Sequence, residues 1–311
     1  MRIAVIGAGA MGGLFAARLA QSGHAVSLVE VSRPLIEAIS TNGLRLTGVF
    51  GDTINAMPIG PADHYRQAFD LVIIFTKGIH TTSALTAAQH LIGAQTWALT
   101  VQNGIGNVEA IQQFVPEQRI VMGMTNWPST PREPGFVSVP GTGEVRIWSA
   151  DGRDSEQLRL VGKALDDAGL NCQLDPMVKI AIWEKLAFNA ALNSTAALTG
   201  LTVGEMSESA EARDVVFAVV AETVAVALAH GIGVDRGHIQ AAVAHAFANH
   251  GTHKPSMLQD RLAGRAMEIS TITGAVGKAG RDLAVPTPVT STLASLLTAL
   301  ERAPNPGGPA R

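Results

Sequence analysis

The stretch "MRIAVIGAGAMGGLFAARLAQSGHAVSLVE", Met1 to Glu30, decides the fold of this chain. Residues 2 to 6, "RIAVI", form an apolar, β-branched run that ends on glycine, the pattern of a strand buried on both faces. "MGGLFAARLAQSGH" then has helical spacing up to a stop at Gly23, and "AVSLVE" from Ala25 to Glu30 reads as the next strand. Strand, helix, strand in this order specifies parallel pairing with a helix on one face.

Between the first strand and its helix lies "GAGAMG", which is Gly7, Ala8, Gly9, Ala10, Met11 and Gly12. G-x-G-x-x-G in this context has a physical reading. The first glycine permits a tight turn, the second lets the backbone approach a pyrophosphate, and the third lets helix and strand pack closely. The free N–H groups of the helix N-terminus then face the phosphates. Glu30 ends the second strand, where a carboxylate can accept hydrogen bonds from the adenine ribose hydroxyls. These seven residues are the expected dinucleotide site. A carboxylate at position 30 opposes the extra phosphate of NADP and leans toward NADH, while Arg33 can pair with that phosphate, so NADPH stays open.

Outward from this unit the alternation continues. Short apolar runs fall at Asp70 to Thr76, Thr96 to Val101 and Arg119 to Met124, with helical patterns at 80 to 92 and 106 to 114. From 126 to 149 the texture turns proline- and glycine-rich with two short alternating runs, which predict strands continuing the sheet in an antiparallel sense. A helix over 154 to 168 and a short run "NCQLD" follow. Asp175 before Pro176 is a helix start, and helices are expected at 176–198, 208–231, 235–249, 257–261, 265–281 and 288–302. The expected organisation is a doubly wound α/β domain over 1–174, an all-helical domain over 175–302 and a disordered tail over 303–311.

The chain's 311 residues, with 47% hydrophobic and 16% charged, suit two well-buried domains. A net charge of -3 without any Lys/Arg run argues against nucleic acid and anionic membranes as partners and favours a small molecule. The N-terminal apolar run is too short for a signal segment and reads as the start of the fold. Asp214 to Val234 is strongly apolar but contains Glu222, which argues for a core helix over a membrane span. Cys172 stands alone, which leaves no internal disulfide and fits a reducing cytoplasm.

Polar residues at strand ends and on one helix complete the candidate site. Lys77 follows the strand at 70–76, and Asn103 with Gly104 follows that at 96–101. At the carboxyl ends of parallel strands both side chains face the ligand crevice. In "WEKLAFNAALN", Trp183 to Asn193, the residues Lys185, Asn189 and Asn193 recur every fourth position and share one helix face amid apolar neighbours. Burying such groups is costly unless they meet a polar network or a ligand. Ser256 by itself reads as a helix cap and Glu268 by itself as a solvated carboxylate. His245, His250 and His253 lack a shared face and a nearby carboxylate, so a metal site is not expected.

With these residues assembled, the chain resembles the ketopantoate reductase (2-dehydropantoate 2-reductase) family nearly from end to end. The likeness rests on "GAGAMG", "TKG", "QNGIG", "PGFVSVPGTGEV", "WEKLAFNAALN" and "PSMLQD" with a glutamate twelve residues after its serine. It implies a Rossmann-type N-terminal domain, a helical C-terminal domain and an active site in the cleft between them. The implied reaction is hydride transfer from NADPH or NADH to the keto carbon of a 2-oxo acid, giving a D-2-hydroxy acid. By the same likeness Lys185 is the general acid. Asn189 and Asn193 hold the substrate, and Ser256 meets its carboxylate region. Lys77 and Asn103 line the cofactor and substrate side, Glu268 closes over the cofactor and lysine, and a homodimer is the mild expectation. The sequence departs from the family where His253 replaces an asparagine and where Glu30 and Val31 replace an arginine. Those departures leave room for an NADH-dependent reductase of a different branched or aromatic 2-oxo acid. A non-catalytic dinucleotide sensor is the reading of another class, which Lys185 and both asparagines argue against.

Overall fold

Ile3, Ala4 and Val5 are completely inaccessible and Ile6 nearly so, as a strand flanked on both edges and covered on both faces must be. The computed structural model describes residues 1–303, so the expected disordered tail lies, beyond Ala303, outside the described residues. Contacts group Met1–Gln102 with Gly106–Val178 as one unit, and Asn103–Ile105 with the chain from Lys179 onward as another.

The first unit runs through β1 (Arg2–Ile6), α1 (Ala10–Gln21), β2 (Ala25–Val29), α2 (Arg33–Asn42), β3 (Leu44–Gly48), β4 (Thr53–Asn55), β5 (Ile59–Gly60), β6 (Leu71–Ile74) and α3 (Thr81–Ala87). It continues with β7 (Trp97–Thr100), α4 (Asn107–Ile111), β8 (Ile120–Thr125), β9 (Thr130–Glu133), β10 (Phe136–Val139), β11 (Val145–Ser149), α5 (Glu156–Asp167) and β12 (Cys172–Leu174). Eight strands form the main sheet in the order β12-β11-β8-β7-β6-β1-β2-β5. All neighbours pair parallel except β11 with β8. This is the doubly wound α/β sheet expected from the alternation, and its strand order reverses at β1. Ile6 pairs with Val29 on one side and Ile74 on the other, so the loops after β1, β2 and β6 leave from one edge of the sheet. Phe15 of α1 meets Phe75 edge-on at 4.7 Å, within a core that includes Leu14, Leu28 and Ile73.

The region 126–149 departs from expectation. Only β11 continues the main sheet antiparallel; β9 and β10 instead join β3 and β4 in a separate sheet ordered β4-β3-β10-β9. The cause is a long-range partner, since β10 pairs parallel with β3 through Phe136 opposite Arg45. Residues 44–60 carry three short strands that periodicity alone passes over.

The second unit consists of α6 (Val178–Thr199), α7 (Val203–Glu208), α8 (Ala210–Ala229), α9 (Arg236–Asn249), α10 (Ser256–Leu262), α11 (Thr273–Asp282) and α12 (Pro288–Arg302). The α6 helix starts two residues later than expected, because Asp175 uses its carboxylate to accept the Met177 N–H at 2.8 Å in a turn that precedes the helix. The helix expected over 208–231 is α8, which starts two residues later because the Ser209 hydroxyl accepts the Ala212 N–H at 3.1 Å and caps it, and the short α7 before it was not expected. The helix expected from 265 begins only at Thr273, so Glu268 lies in an irregular segment ahead of α11. Trp183, Leu186, Ala190, Val216, Val220 and Ile272 are among the residues of this unit's own core. Glu222, the acid in apolar α8, accepts the Val289 and Thr290 N–H groups at 2.9 and 2.8 Å and caps α12. Among the described residues no helix is long and apolar enough to cross a membrane.

Candidate active site

The glycine loop sits at the edge where the strand order reverses. Gly7 has φ of +99°, and a Cβ there would lie 2.9 Å from the Phe75 carbonyl carbon. At Gly12 a Cβ would lie 1.9 Å from the Gly7 carbonyl oxygen. Both glycines are therefore demanded by the protein's own packing. At Gly9 a Cβ would meet nothing within 4 Å, so the folded unit itself does not require that glycine. The open space there is what close approach of a phosphate needs, and Gly9 is also the residue before α1, whose first turn has no side-chain cap. The loop thus leaves room for a phosphate at Gly9, ahead of the uncapped N-terminus of α1.

Glu30 stands at the end of β2, as expected, but its carboxylate is already engaged. Oε2 accepts the Ala8 N–H at 2.8 Å, and Oε1 accepts the N–H groups of Val31 and Ser32 at 2.8 and 2.9 Å. Arg33 is exposed at the start of α2. Lys77 is partly buried three residues after β6, just before the turn Gly78–His80.

In the second unit, α6 carries Lys185, Asn189 and Asn193 along one side. Burial pushes the Lys185 ammonium down to about 8 from its ordinary 10.5, while the charge of Glu268 pulls it the other way. Asn193 is 5% exposed and donates from Nδ2 to the Ser256 hydroxyl at 3.3 Å. Ser256 is the first residue of α10 and does not cap it. At the next residue of α6, Ser194 and Thr273 share a hydrogen bond that ties α6 to the start of α11. Asn103 belongs to this unit through its neighbour, because the Ile105 N–H donates to the Thr271 carbonyl at 2.9 Å. Gly104 has φ of +84°, and any Cβ there would be 2.0 Å from that same carbonyl oxygen. That interlock explains the glycine of "QNG", and only its position in a strand-end turn hinted at it.

The structure therefore brings Lys185 under the influence of Glu268 and Asn193 against Ser256, pairs that are 83 and 63 positions apart. His253 lies on an exposed loop, and its ring packs 6.4 Å from that of His250. Partial burial, then the neighbouring His250 ring, lower its pKa. His245 and His250 are 5.8 Å apart, and among the described residues no group of three His, Cys, Asp or Glu has metal-holding geometry. Sequence reading missed the Val31 and Ser32 N–H groups that hold Glu30, since backbone donors leave no mark on residue identity.

A glycine-loop α/β unit followed by a helical unit with a lysine and asparagine face defines a two-part architecture. Residues 3–152 match the family described as ketopantoate reductase PanE/ApbA, and residues 178–301 match ketopantoate reductase PanE/ApbA C terminal. A 2-dehydropantoate 2-reductase of Streptococcus pyogenes serotype M1 is 33% identical over 97% of this chain and 98% of its own. Among solved structures, D-mandelate dehydrogenase with NADH and anilino(oxo)acetate has a TM-score of 0.90 at 30% identity, covering 97% of this chain and 98% of that one. A 2-dehydropantoate 2-reductase from Geobacter metallireducens also reaches 0.90 at 30% identity, over 96% and 100%. The chain belongs to the ketopantoate reductase family, and it is an enzyme, an oxidoreductase.

Proposed function

We propose that this oxidoreductase reduces the keto carbon of a 2-oxo acid, with ketopantoate converted to D-pantoate as the family reaction, using a nicotinamide dinucleotide. The observation that carries the reading is Lys185, an ammonium brought down to about 8 by burial on a helix face that also bears Asn189 and Asn193. A reduced nicotinamide, when bound, supplies the hydride. Lys185 then donates its proton to the keto oxygen as negative charge grows there, and its lowered pKa makes that transfer easier near neutral pH. Asn189 and Asn193 orient the substrate's hydroxyl and carbonyl groups. Ser256, whose hydroxyl already meets Asn193, takes its carboxylate region, with His253 beside it in sequence. Gly7 to Gly12 and Glu30 hold the dinucleotide, and Lys77, Asn103 and Glu268 serve its reactive end.

The test is the loss of reduced-nicotinamide absorbance with ketopantoate and a panel of branched and aromatic 2-oxo acids, each with NADH and with NADPH. Turnover of ketopantoate above the others supports the family reaction. Binding without turnover of any 2-oxo acid would leave the sensor reading in its place. A second reading, an NADH-dependent reductase of a different branched or aromatic 2-oxo acid, is favoured by Glu30 and by the likeness to D-mandelate dehydrogenase with NADH. A preference for NADH and a bulkier 2-oxo acid would select it. A cytoplasmic homodimer is proposed on family likeness, and light scattering of the purified protein tests the dimer.

A further inference from the structure

The carboxylate of Glu30 bridges two loops, and its surroundings show why that bridge matters. The backbone on which it stands is fixed by the sheet: Gly7 N–H donates to the Val29 carbonyl at 2.9 Å, and Glu30 N–H donates to that of Gly60 at 3.0 Å. The turn beyond it is not fixed by packing, because Val31 is 82% exposed and Ser32 and Arg33 are exposed too. Two things hold that turn: the Ser32 carbonyl, which accepts the Leu35 and Ile36 N–H groups at 3.1 and 2.9 Å where α2 begins, and the carboxylate, which accepts the Val31 and Ser32 N–H groups at 2.8 and 2.9 Å. The other oxygen holds Ala8 of the glycine loop at 2.8 Å. A carboxylate oxygen has room for about two donors, so Oε1 is filled while Oε2 keeps one place.

We propose that Glu30 is a positioning residue, a strut that sets the spacing between the glycine loop and the Val31–Ser32 turn at the adenosine end of the dinucleotide. One remaining acceptor place serves a ribose hydroxyl. The N–H groups that would otherwise meet a 2′-phosphate are occupied by the protein's own carboxylate, so Glu30 selects against that phosphate through occupied donors as well as through charge. The inference rests on the reading that the glycine loop holds a dinucleotide.

Two substitutions separate strut from charge. Glu30→Asp keeps the charge but is one methylene too short to reach both loops, and Glu30→Gln keeps the reach but turns one acceptor oxygen into an N–H donor facing N–H donors. Calorimetric titration of the full-length protein and both variants with NADH, NADPH and ADP-ribose reads the outcome, with ADP-ribose reporting the adenosine end alone. Both variants are expected to bind ADP-ribose and NADH at least about ten-fold more weakly. Each should also narrow the gap between NADH and NADPH, with the thermal midpoint close to wild type. Asp behaving as wild type while Gln alone changes would mean that charge is the whole effect, and would overturn the strut. A fall in thermal midpoint with unchanged affinities would also overturn it, as a merely structural role. Failure of the wild-type protein to bind any of the three ligands would instead remove the dinucleotide reading, a distinct result.

Discussion

The glycine loop and the lysine face of α6 are built on opposite principles. At the loop the chain removes side chains: Gly7 and Gly12 vanish so that backbone can pack on backbone, and Gly9 leaves open space. On α6 it retains side chains that a buried helix would ordinarily exclude, and burial changes their chemistry, as the lowered Lys185 shows. The lesson of the contrast is that the first region works by backbone geometry over six consecutive residues. The second works by the company its side chains keep, which comes from residues far along the chain.

Substitutions can break this contrast or sharpen it. The largest effect is expected from Lys185→Ala, which should lower turnover by about 10²–10⁴-fold while changing the Kd of the dinucleotide by no more than about two-fold, read by steady-state kinetics and titration. An equal loss in both would sink the role of Lys185 as proton donor.

At the loop, Gly12→Ala and Gly9→Ala should part company. The former forces a methyl to within 1.9 Å of a backbone carbonyl and is expected to cost about 2–4 kcal/mol of stability in a denaturant titration. The latter meets nothing in the protein, so it should fold normally yet bind the dinucleotide roughly ten-fold more weakly. If Gly9→Ala binds as wild type, the open space is not a phosphate seat.

The pH dependence is a subtler probe of α6. Reduction needs Lys185 protonated, so kcat/KM should be level below about pH 8 and fall above it, with the reverse oxidation rising through the same range. Glu268 raises the pKa of Lys185, so Glu268→Gln should move the falling limb to lower pH. An unmoved limb would uncouple the two residues. The smallest effect is expected from Ser256→Ala, which removes the acceptor of a long 3.3 Å hydrogen bond from Asn193. It should raise KM for the 2-oxo acid about three- to ten-fold with kcat little changed.

Legibility in the sequence followed the range of the interactions. The strands β1, β2, β6, β7 and β8 were readable because each is a short apolar run closed by turn residues, with its partners determined by alternation. The sheet of β4, β3, β10 and β9 was not, because the paired residues of β3 and β10 are 91 positions apart and no local period encodes their pairing. Helices were found but their ends were not: the Ser209 cap and the irregular segment carrying Glu268 depend on which donors and acceptors meet after folding. In the candidate site, the line of Lys185, Asn189 and Asn193 was visible from spacing alone. The engagement of Glu30 with Val31 and Ser32 was invisible, because peptide N–H groups are the same at every residue but proline.

By itself the sequence determined the α/β order of the first unit, the position of the glycine loop and the polar side of α6, since each is written in spacings of two to twenty residues. Only tertiary structure decided what those features face. It set Glu268 to act on Lys185, Ser256 against Asn193, Thr271 against Gly104 and Ala8 against Glu30. The physical reason is that electrostatics and hydrogen bonds act over ångströms in space, and distance along the chain does not report them.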